Sequence, residues 1–187
     1  MSSTANRRRL GRQDWIDATL RELAAVGVRG VSVERLAKDL GATKGSFYWH
    51  FKDRRALIEA ALAEWEHRST DELIERASAI DDPRERLRWL FRVAFDEVSA
   101  VGIDTALLAD ADEPNVAPAL ERVAAKRLRY IEAQFKAMRV TDAADRALLT
   151  YTAFVGLVQL RRTAPALTPH GRRSTRYVSN VTEWLLA

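Results

Sequence analysis

The amino-acid sequence predicts an all-α protein of about nine helices. Apolar residues recur at spacings of three and four along most of the chain, as in amphipathic helices, and strand-like alternation is scarce. The 187 residues are 47% hydrophobic and 30% charged, enough for a packed interior and too apolar for general disorder. Glycines, prolines and capping side chains fall between the periodic segments, so the helices can be assigned in order.

The first predicted helix covers Gln13–Val26. Its apolar stripe includes Ile16, Leu20 and Leu23, and acidic residues near its start suit the positive end of the helix dipole. Gly27 follows directly and is expected to end the helix in the left-handed conformation.

Two short helices are expected next. The Ser32 hydroxyl can cap the second helix, Gly41 ends it, and Thr43 can cap a third helix that reaches about Trp49. Two short helices joined by a turn with a glycine have the spacing of a helix-turn-helix. Asp53 is predicted to cap a fourth, longer helix, and the N-terminal module is expected to end by residue 66.

The remaining helices are separated by breaker segments. The sequence predicts helices from Pro83, over Ile103–Ala109, from Pro118 to about Arg139, from Asp142 to about Arg162, and over Ser174–Leu186. Residues 110–118 and 163–171 carry prolines and polar residues and are predicted as loops.

The positive charge is concentrated near the N-terminus. The whole chain carries a formal charge of +4, but residues 7–55 hold twelve basic and six acidic side chains, so the rest sums to −2. A basic N-terminal module is the first mark of nucleic-acid binding. The triplet Arg7–Arg9 has two interpretations: a solvated tail, or an arm that reaches a minor groove.

Several kinds of chemistry lack the residues they need. Cysteine is absent, which excludes disulfides, thiolate zinc sites and cysteine nucleophiles. The three histidines, His50, His67 and His170, do not have metal-ligand spacing. We therefore expect no metal, no cofactor and no enzymatic activity. Without a signal peptide or membrane-length apolar run, we expect a cytoplasmic protein with no membrane partner.

The segment GVRGVSVERLAKDLGATKGSFYWHFKDRRALIEA, residues 27–60, carries a specific resemblance. With its turn glycine, capping threonine and aromatic block FYWHF, the stretch of residues 12–65 resembles the DNA-binding domain of TetR-family transcriptional regulators. The resemblance implies a flexible basic arm (1–11), a helix-turn-helix domain (12–66) and a helical ligand-binding and dimerisation domain (67–187). The run Asp53-Arg54-Arg55 departs from the pattern common in the family. With this run, the fourth helix would make more extensive contacts with DNA than is usual in the family.

The third helix would then lie in the major groove of double-stranded operator DNA. The predicted DNA-contacting residues are Ser32, Thr43, Lys44, Gly45, Ser46, Tyr48, Trp49, His50, Lys52 and Arg54. For Phe47 and Phe51 we favour the core over DNA contact, whereas Tyr48 and Trp49 favour DNA. His50 is equally compatible with a packed imidazole.

The larger domain yields two further hypotheses. A pocket for an unidentified small-molecule effector is suggested by Trp65, Trp89, Phe91, Phe95, Leu107, Leu108, Tyr130 and Phe135, although such aromatics are more often core. A homodimer interface is suggested by Leu149, Val155, Gly156, Tyr177, Val181 and Trp184.

The sequence thus favours a homodimeric repressor that a small apolar or aromatic ligand releases from a palindromic operator. A ligand-independent or activating regulator and a non-specific architectural DNA binder remain as alternatives. A helical enzyme is disfavoured because the sequence shows no nucleophile beside a histidine base, no phosphate-binding glycine loop and no metal spacing.

Overall fold

The computed structural model describes residues 10–96, 101–169 and 172–187, without the side chains of residues 95, 96, 101 and 172. In these ranges the chain forms nine helices, a 3₁₀ turn at Pro165–Leu167 and no strand, where three consecutive segments that continue without a break are counted as one helix. The helices are α1 (Arg12–Gly30), α2 (Val33–Asp39), α3 (Lys44–Tyr48), α4 (Arg54–Glu66, a π-helical turn His67–Asp71, and Glu72–Ser78), α5 (Pro83–Asp96), α6 (Val101–Ala109), α7 (Ala117–Ala137), α8 (Ala143–Thr163) and α9 (Arg172–Leu186). The all-α prediction is confirmed.

The short helices of the N-terminal part begin at side-chain caps. The Ser32 hydroxyl accepts a hydrogen bond from the Arg35 amide at 3.3 Å, and Thr43 Oγ1 accepts one from the Ser46 amide at 3.2 Å. Asp53 Oδ1 accepts from the Ala56 amide at 2.7 Å at the start of α4. Each cap satisfies an amide that has no partner within its helix, so the predicted helix starts are confirmed.

Two glycines occupy the left-handed region. Gly27 has φ +70° and interrupts the helical geometry inside α1, and Gly41 has φ +62° after α2. A Cβ on Gly27 would lie 2.5 Å from Asp110 Oδ2, whereas a Cβ on Gly41 would meet nothing within 4 Å. Gly27 therefore also allows the close approach of the segment that follows α6.

The N-terminal core extends beyond the helix-turn-helix. Trp15, Phe47 and Leu57 are at most 1% exposed, and the same apolar cluster includes Leu107 of α6 and Val116 before α7. Helix α1 packs against both α4 and α6. The N-terminal part and the C-terminal helices therefore share side-chain packing, and α4 runs continuously across the expected boundary at residue 66.

A second apolar cluster lies within the C-terminal helices. It contains Leu87, Phe91, Ile131, Phe135, Ala143, Ala147, Leu157, Val178 and Leu186. Helix α7 packs against α8, and α5 packs against α9. None of the helices in the described ranges combines the length and the apolar composition that crossing a bilayer requires.

Candidate nucleic-acid interface and ligand cavity

Helix α3 is held by one buried aromatic side chain. The ring of Phe47 is 1% exposed and lies 5.5 Å, centroid to centroid, from the ring of Trp15 on α1 in an edge-to-face arrangement. It also stacks on Phe51 at 5.8 Å. These contacts fix a helix of only five residues, which is too short to be stable alone. The core interpretation of Phe47 and Phe51 is therefore correct.

The other aromatic residues of this segment face solvent. Tyr48 is 56% exposed and Trp49 is 88% exposed, so neither belongs to the core. Lys44 and Gly45 are exposed beside them, and His50 is half-buried. These large aromatic side chains do not stabilise the core. Exposed next to a basic residue, they are typical of a surface that binds a partner.

An ion pair links the start of α3 to α2. Lys44 Nζ lies 2.6 Å from Glu34 Oε1, and their hydrogen bond raises the pKa of Lys44 and lowers the pKa of Glu34. Both side chains are exposed, so water and salt screen the pair strongly. A DNA phosphate or base can therefore replace Glu34 as the partner of Lys44 at little cost.

The flanking residues predicted to contact DNA differ in their surroundings. Lys52 is exposed, and the half-buried Ser32 serves as the α2 cap. Arg54 is half-buried, and its Nε donates to the Val31 carbonyl at 2.8 Å while Nη2 donates to the Val28 carbonyl. The guanidinium of Arg54 thus holds the end of α1 in place, a function that the sequence did not indicate.

Arg12, at the base of the predicted arm, lies with its guanidinium 4.9 Å from the centroid of the Phe51 ring. Residues 1–9 of the arm, including Arg7–Arg9, lie outside the described residues. The hypothesis of a minor-groove contact therefore stays a prediction.

The end of α1 is also bound to the segment after α6. The Val28 amide donates to Asp110 Oδ2 at 2.7 Å, and Arg29 Nε lies 2.6 Å from Glu113 Oε1. The amide of Val28 needs an acceptor because Gly27 interrupts the helix. The helix-turn-helix is thus joined to α6 by a specific hydrogen bond between residues 82 positions apart.

A cavity of about 800 Å³ lies behind the helix-turn-helix. Its walls come from α1, α4, α5, α6, α7 and α8. The π-helical turn of α4 contributes Arg68, Ser69 and Thr70. A volume of this size lies within the range of small-molecule sites in proteins.

The structure brings together part of the predicted pocket set. Trp65, Phe91 and Tyr130 line the cavity. Phe135 is fully buried in the second apolar cluster, Leu107 belongs to the N-terminal core, and Leu108 lies outside the cavity wall. Trp89 also lies outside, under the guanidinium of Arg76 at 5.0 Å, and the side chain of Phe95 is outside the described residues.

The deepest polar groups of the cavity were not found from the sequence. Asp104 is 6% exposed, and its Oδ1 accepts a hydrogen bond from Trp65 Nε1 at 2.7 Å. Burial raises the pKa of Asp104, against the opposing effects of the Arg127 charge and the Trp65 hydrogen bond. In a helical sequence rich in charged residues, no spacing distinguishes this aspartate from those on the surface.

Two further polar side chains face the same space. Thr150 is 2% exposed, and its Oγ1 has no hydrogen-bond partner in the described part of the protein. Burial raises the pKa of Tyr151, and the charge of Arg127 acts in the opposite direction. A buried hydroxyl without a partner beside a cavity can bind a polar group of a ligand.

The predicted dimer residues fall into two groups. Leu149 and Trp184 are 60% and 71% exposed, and Gly156 is exposed as well. Val155 and Tyr177 are half-buried, and Val181 is 9% exposed. Within this set, Leu149 and Trp184 leave the largest apolar area exposed for a partner.

Comparison with known proteins identifies the N-terminal part. Residues 16–61 match the sequence model described as bacterial regulatory proteins, tetR family. Over 56 residues the chain is 41% identical to the class D tetracycline repressor protein of Escherichia coli. This match covers 30% of the chain and 26% of the repressor, so the chain spans about a quarter of that relative's length.

Solved structures extend the likeness to the whole fold. NemR of E. coli, in its reduced form, gives a TM-score of 0.76 at 17% identity, covering 93% of this chain and 94% of NemR. AibR, in complex with isovaleryl coenzyme A and operator DNA, gives a TM-score of 0.68 at 19% identity, covering 92% of this chain and 96% of AibR. At such identities the likeness shows a common fold.

Proposed function

We propose that this chain, which belongs to the TetR family of bacterial transcriptional regulators, is a homodimeric repressor that binds an operator through α3 and is released by a small ligand. The observation that supports the DNA-binding part is that the aromatic residues of the segment FYWHF lie in two different environments. Phe47 is buried and fixes α3, while Tyr48 and Trp49 project into solvent beside Lys44. As a regulator of transcription it would act in the cytoplasm.

In this proposal, α3 enters the major groove, where Lys44 bonds a guanine edge or a phosphate. Tyr48 and the amides near Thr43 would hold phosphates, and Trp49 would supply apolar contact with a thymine methyl group. Lys52 would bind the backbone on the far side of the groove. The hydroxyls of Ser32 and Thr43 already cap their helices, so they would position the backbone amides there.

The proposed dimer is formed by α8 and α9 of each protomer. Leu148 and Leu149 on α8 and Trp184 on α9 are more than half exposed, which is unusual for large apolar side chains in a monomer. A two-fold axis through this surface would form a four-helix interface. Sedimentation should report a dimer for the wild-type chain and a monomer for Leu149→Glu combined with Trp184→Glu.

The cavity supports the ligand-dependent part of the proposal. Its walls include α1 and α4, which also belong to the helix-turn-helix, and the Asp17–Arg68 ion pair at 2.6 Å joins these helices at the cavity. A ligand that fits the cavity better in one arrangement of these helices would shift the separation of the two DNA-binding heads. AibR, which has this fold, is known in complex with both an acyl-coenzyme A and operator DNA.

The decisive experiment is selection of bound sequences from random double-stranded DNA by the full chain. We expect a near-palindromic site whose half-sites lie about 34–36 Å apart, one helical turn. Enrichment without two-fold symmetry would contradict the dimeric repressor. Equal affinity for all duplexes, with a steep salt dependence, would instead indicate an architectural DNA binder.

Variants then test the position of α3. Lys44→Ala and Tyr48→Ala should each weaken binding to the selected site by about tenfold or more while the dimer stays intact. Lys136→Ala is the matched control, because Lys136 is exposed near the end of α7 and is ion-paired with Glu132. Normal binding by both α3 variants would show that another surface reads the DNA.

A further inference from the structure

Arg127 of α7 places a guanidinium in the cavity wall among neutral partners. Its Nε donates to Thr70 Oγ1 at 3.0 Å, and Nη2 contacts the carbonyl and hydroxyl of Ser69 at 3.1 and 3.2 Å. The guanidinium lies 6.0 Å from the centroid of the Trp65 ring and 5.6 Å from that of Phe154. These bonds use Nε and Nη2, and the guanidinium also hydrogen-bonds the side chain of Tyr151, so a ligand oxygen would meet a remaining N–H group beside Tyr151.

Positive charge exceeds negative charge around this cavity. Four arginines and three carboxylates line it. Two of the carboxylates already have side-chain partners, because Asp17 pairs with Arg68 at 2.6 Å and Glu72 lies 3.5 Å from a ring nitrogen of His67. The third, Asp104, accepts its hydrogen bond from the neutral Trp65 indole.

Asp104 balances the charge of Arg127 only in part. It is close enough to act on Arg127 electrostatically, but the two form no ion pair in the described part of the chain. Burial raises the pKa of Asp104, which shifts its carboxyl toward the neutral form. Asp104 therefore offsets the charge of the guanidinium less than a directly paired carboxylate would.

The rest of the wall is mainly apolar and aromatic. Phe91, Tyr130 and Ile131 line it from α5 and α7, and Thr150 offers a hydroxyl without a hydrogen-bond partner among the described residues. We propose that the effector is an amphipathic anion, an apolar body that carries a carboxylate, and that Arg127 binds this carboxylate. This inference rests on the ligand-responsive function proposed above.

An organic cation fits the same cavity less well. The aromatic faces that would hold a cation, those of Trp65 and Phe154, already have the guanidinium of Arg127 over them. A second cation there would be repelled by Arg127 in a site of low dielectric constant. A carboxylate, in contrast, is attracted by the guanidinium charge and can accept a charge-assisted hydrogen bond from it.

Three probes of similar shape and different charge test the proposal: naphthylacetate, naphthylacetamide and naphthylethylammonium. Isothermal titration of the full-length wild-type chain, without DNA, should show naphthylacetate binding about tenfold tighter than the amide. The ammonium probe should bind most weakly. Equal affinity for acetate and amide, or tightest binding of the ammonium probe, would overturn the proposal.

Two variants and one control variant locate the anion within the cavity. Arg127→Met should remove the preference for the acetate over the amide, whereas Arg129→Gln on the exposed face of the same helix should keep it. Asp104→Asn keeps an acceptor for Trp65 and removes a negative charge, so it should preserve or tighten acetate binding. A loss of acetate binding in Asp104→Asn would contradict the proposal, even if Arg127→Met does not fold.

The assay also separates this inference from the proposed function. Titrations without DNA report only on the cavity, and selection from random DNA reports only on α3. If the acetate binds preferentially but no operator is selected, the repressor function is wrong and the anion site stands. If an operator is selected but the three probes bind equally, the anion site is wrong and the regulator stands.

Discussion

The short helices of the helix-turn-helix and the long helices α7 and α8 begin in different ways. In the helix-turn-helix, a side-chain oxygen accepts a hydrogen bond from a backbone amide at three helix starts. The three residues are Ser32, Thr43 and Asp53. The two long helices α7 and α8, of 21 residues each, begin without a side-chain cap, at Val116 and Asp142. Helices α2 and α3 thus carry side-chain caps at their starts, and the much longer α7 and α8 do without them.

The physical reason is the cost of nucleating a helix. Helices of seven and five residues, such as α2 and α3, are far below the length at which isolated helices are stable, about 12–15 residues. They depend on caps and on a few buried anchors. The long helices are stabilised along their whole length by packing, so the loss of one terminal hydrogen bond matters less.

The largest expected effect comes from the buried anchor of α3. Phe47→Ala should reduce the free energy of unfolding by about 3–5 kcal/mol, because the ring is almost fully buried against Trp15 and Phe51. Urea denaturation followed by circular dichroism measures this loss. Tyr48→Ala, at an exposed neighbouring position, serves as the control and should change little. Equal losses for both variants would show that α3 has no distinct buried face.

The second effect compares the two left-handed glycines. Gly41→Ala should cost about 1–2 kcal/mol, the ordinary penalty of a side chain in this conformation. Gly27→Ala should cost more, since its Cβ would also collide with the Asp110 carboxylate and disturb the hydrogen bond to the Val28 amide. Thermal unfolding of both variants checks the order. A smaller loss for Gly27→Ala would mean that the segment after α6 is not held against α1.

The third effect tests the capping contrast directly. Thr43→Ala should destabilise the protein by about 1 kcal/mol, since the amide of Ser46 loses its acceptor. Asp142→Ala, at the start of α8, should cost less, because Asp142 makes no capping hydrogen bond there. Denaturation midpoints at constant slope give both values. If Asp142→Ala costs more than Thr43→Ala, side-chain capping is not what distinguishes the start of α3 from the start of α8.

The smallest and most pH-dependent effect concerns Asp104 in the cavity. Its pKa is raised by burial, so between the unfolded and folded pKa values the native state binds more protons, and stability falls as the pH rises. Asp104→Asn should therefore be more stable than wild type at neutral pH, and the difference should vanish below about pH 4, where aspartate is protonated in both states. Thermal unfolding across this range measures the difference. A constant difference would show that Asp104 does not titrate on folding.

The two regions were also predicted from the sequence to different extents. The caps, the turn glycine Gly41 and the burial of Phe47 and Phe51 follow from residues close together in the chain, and the structure confirms them. Gly27 was expected to end the first helix, but it interrupts α1, which continues to Gly30. The pocket prediction relied on aromatic residues at helical spacing. This pattern could not separate Trp65, which lines the cavity, from Phe135, which fills the core.

The sequence by itself determined the helical class, the order of the helices and the basic N-terminal module, because periodicity, capping and charge are local properties of the chain. Only the tertiary structure placed Asp104 and Arg127 at the cavity, joined Val28 to Asp110, and extended α4 through a π-helical turn. These features depend on which helix faces meet across long stretches of sequence. From the sequence alone, many charged residues were equally good candidates for the cavity wall. The packing of the helices determines which of them are buried.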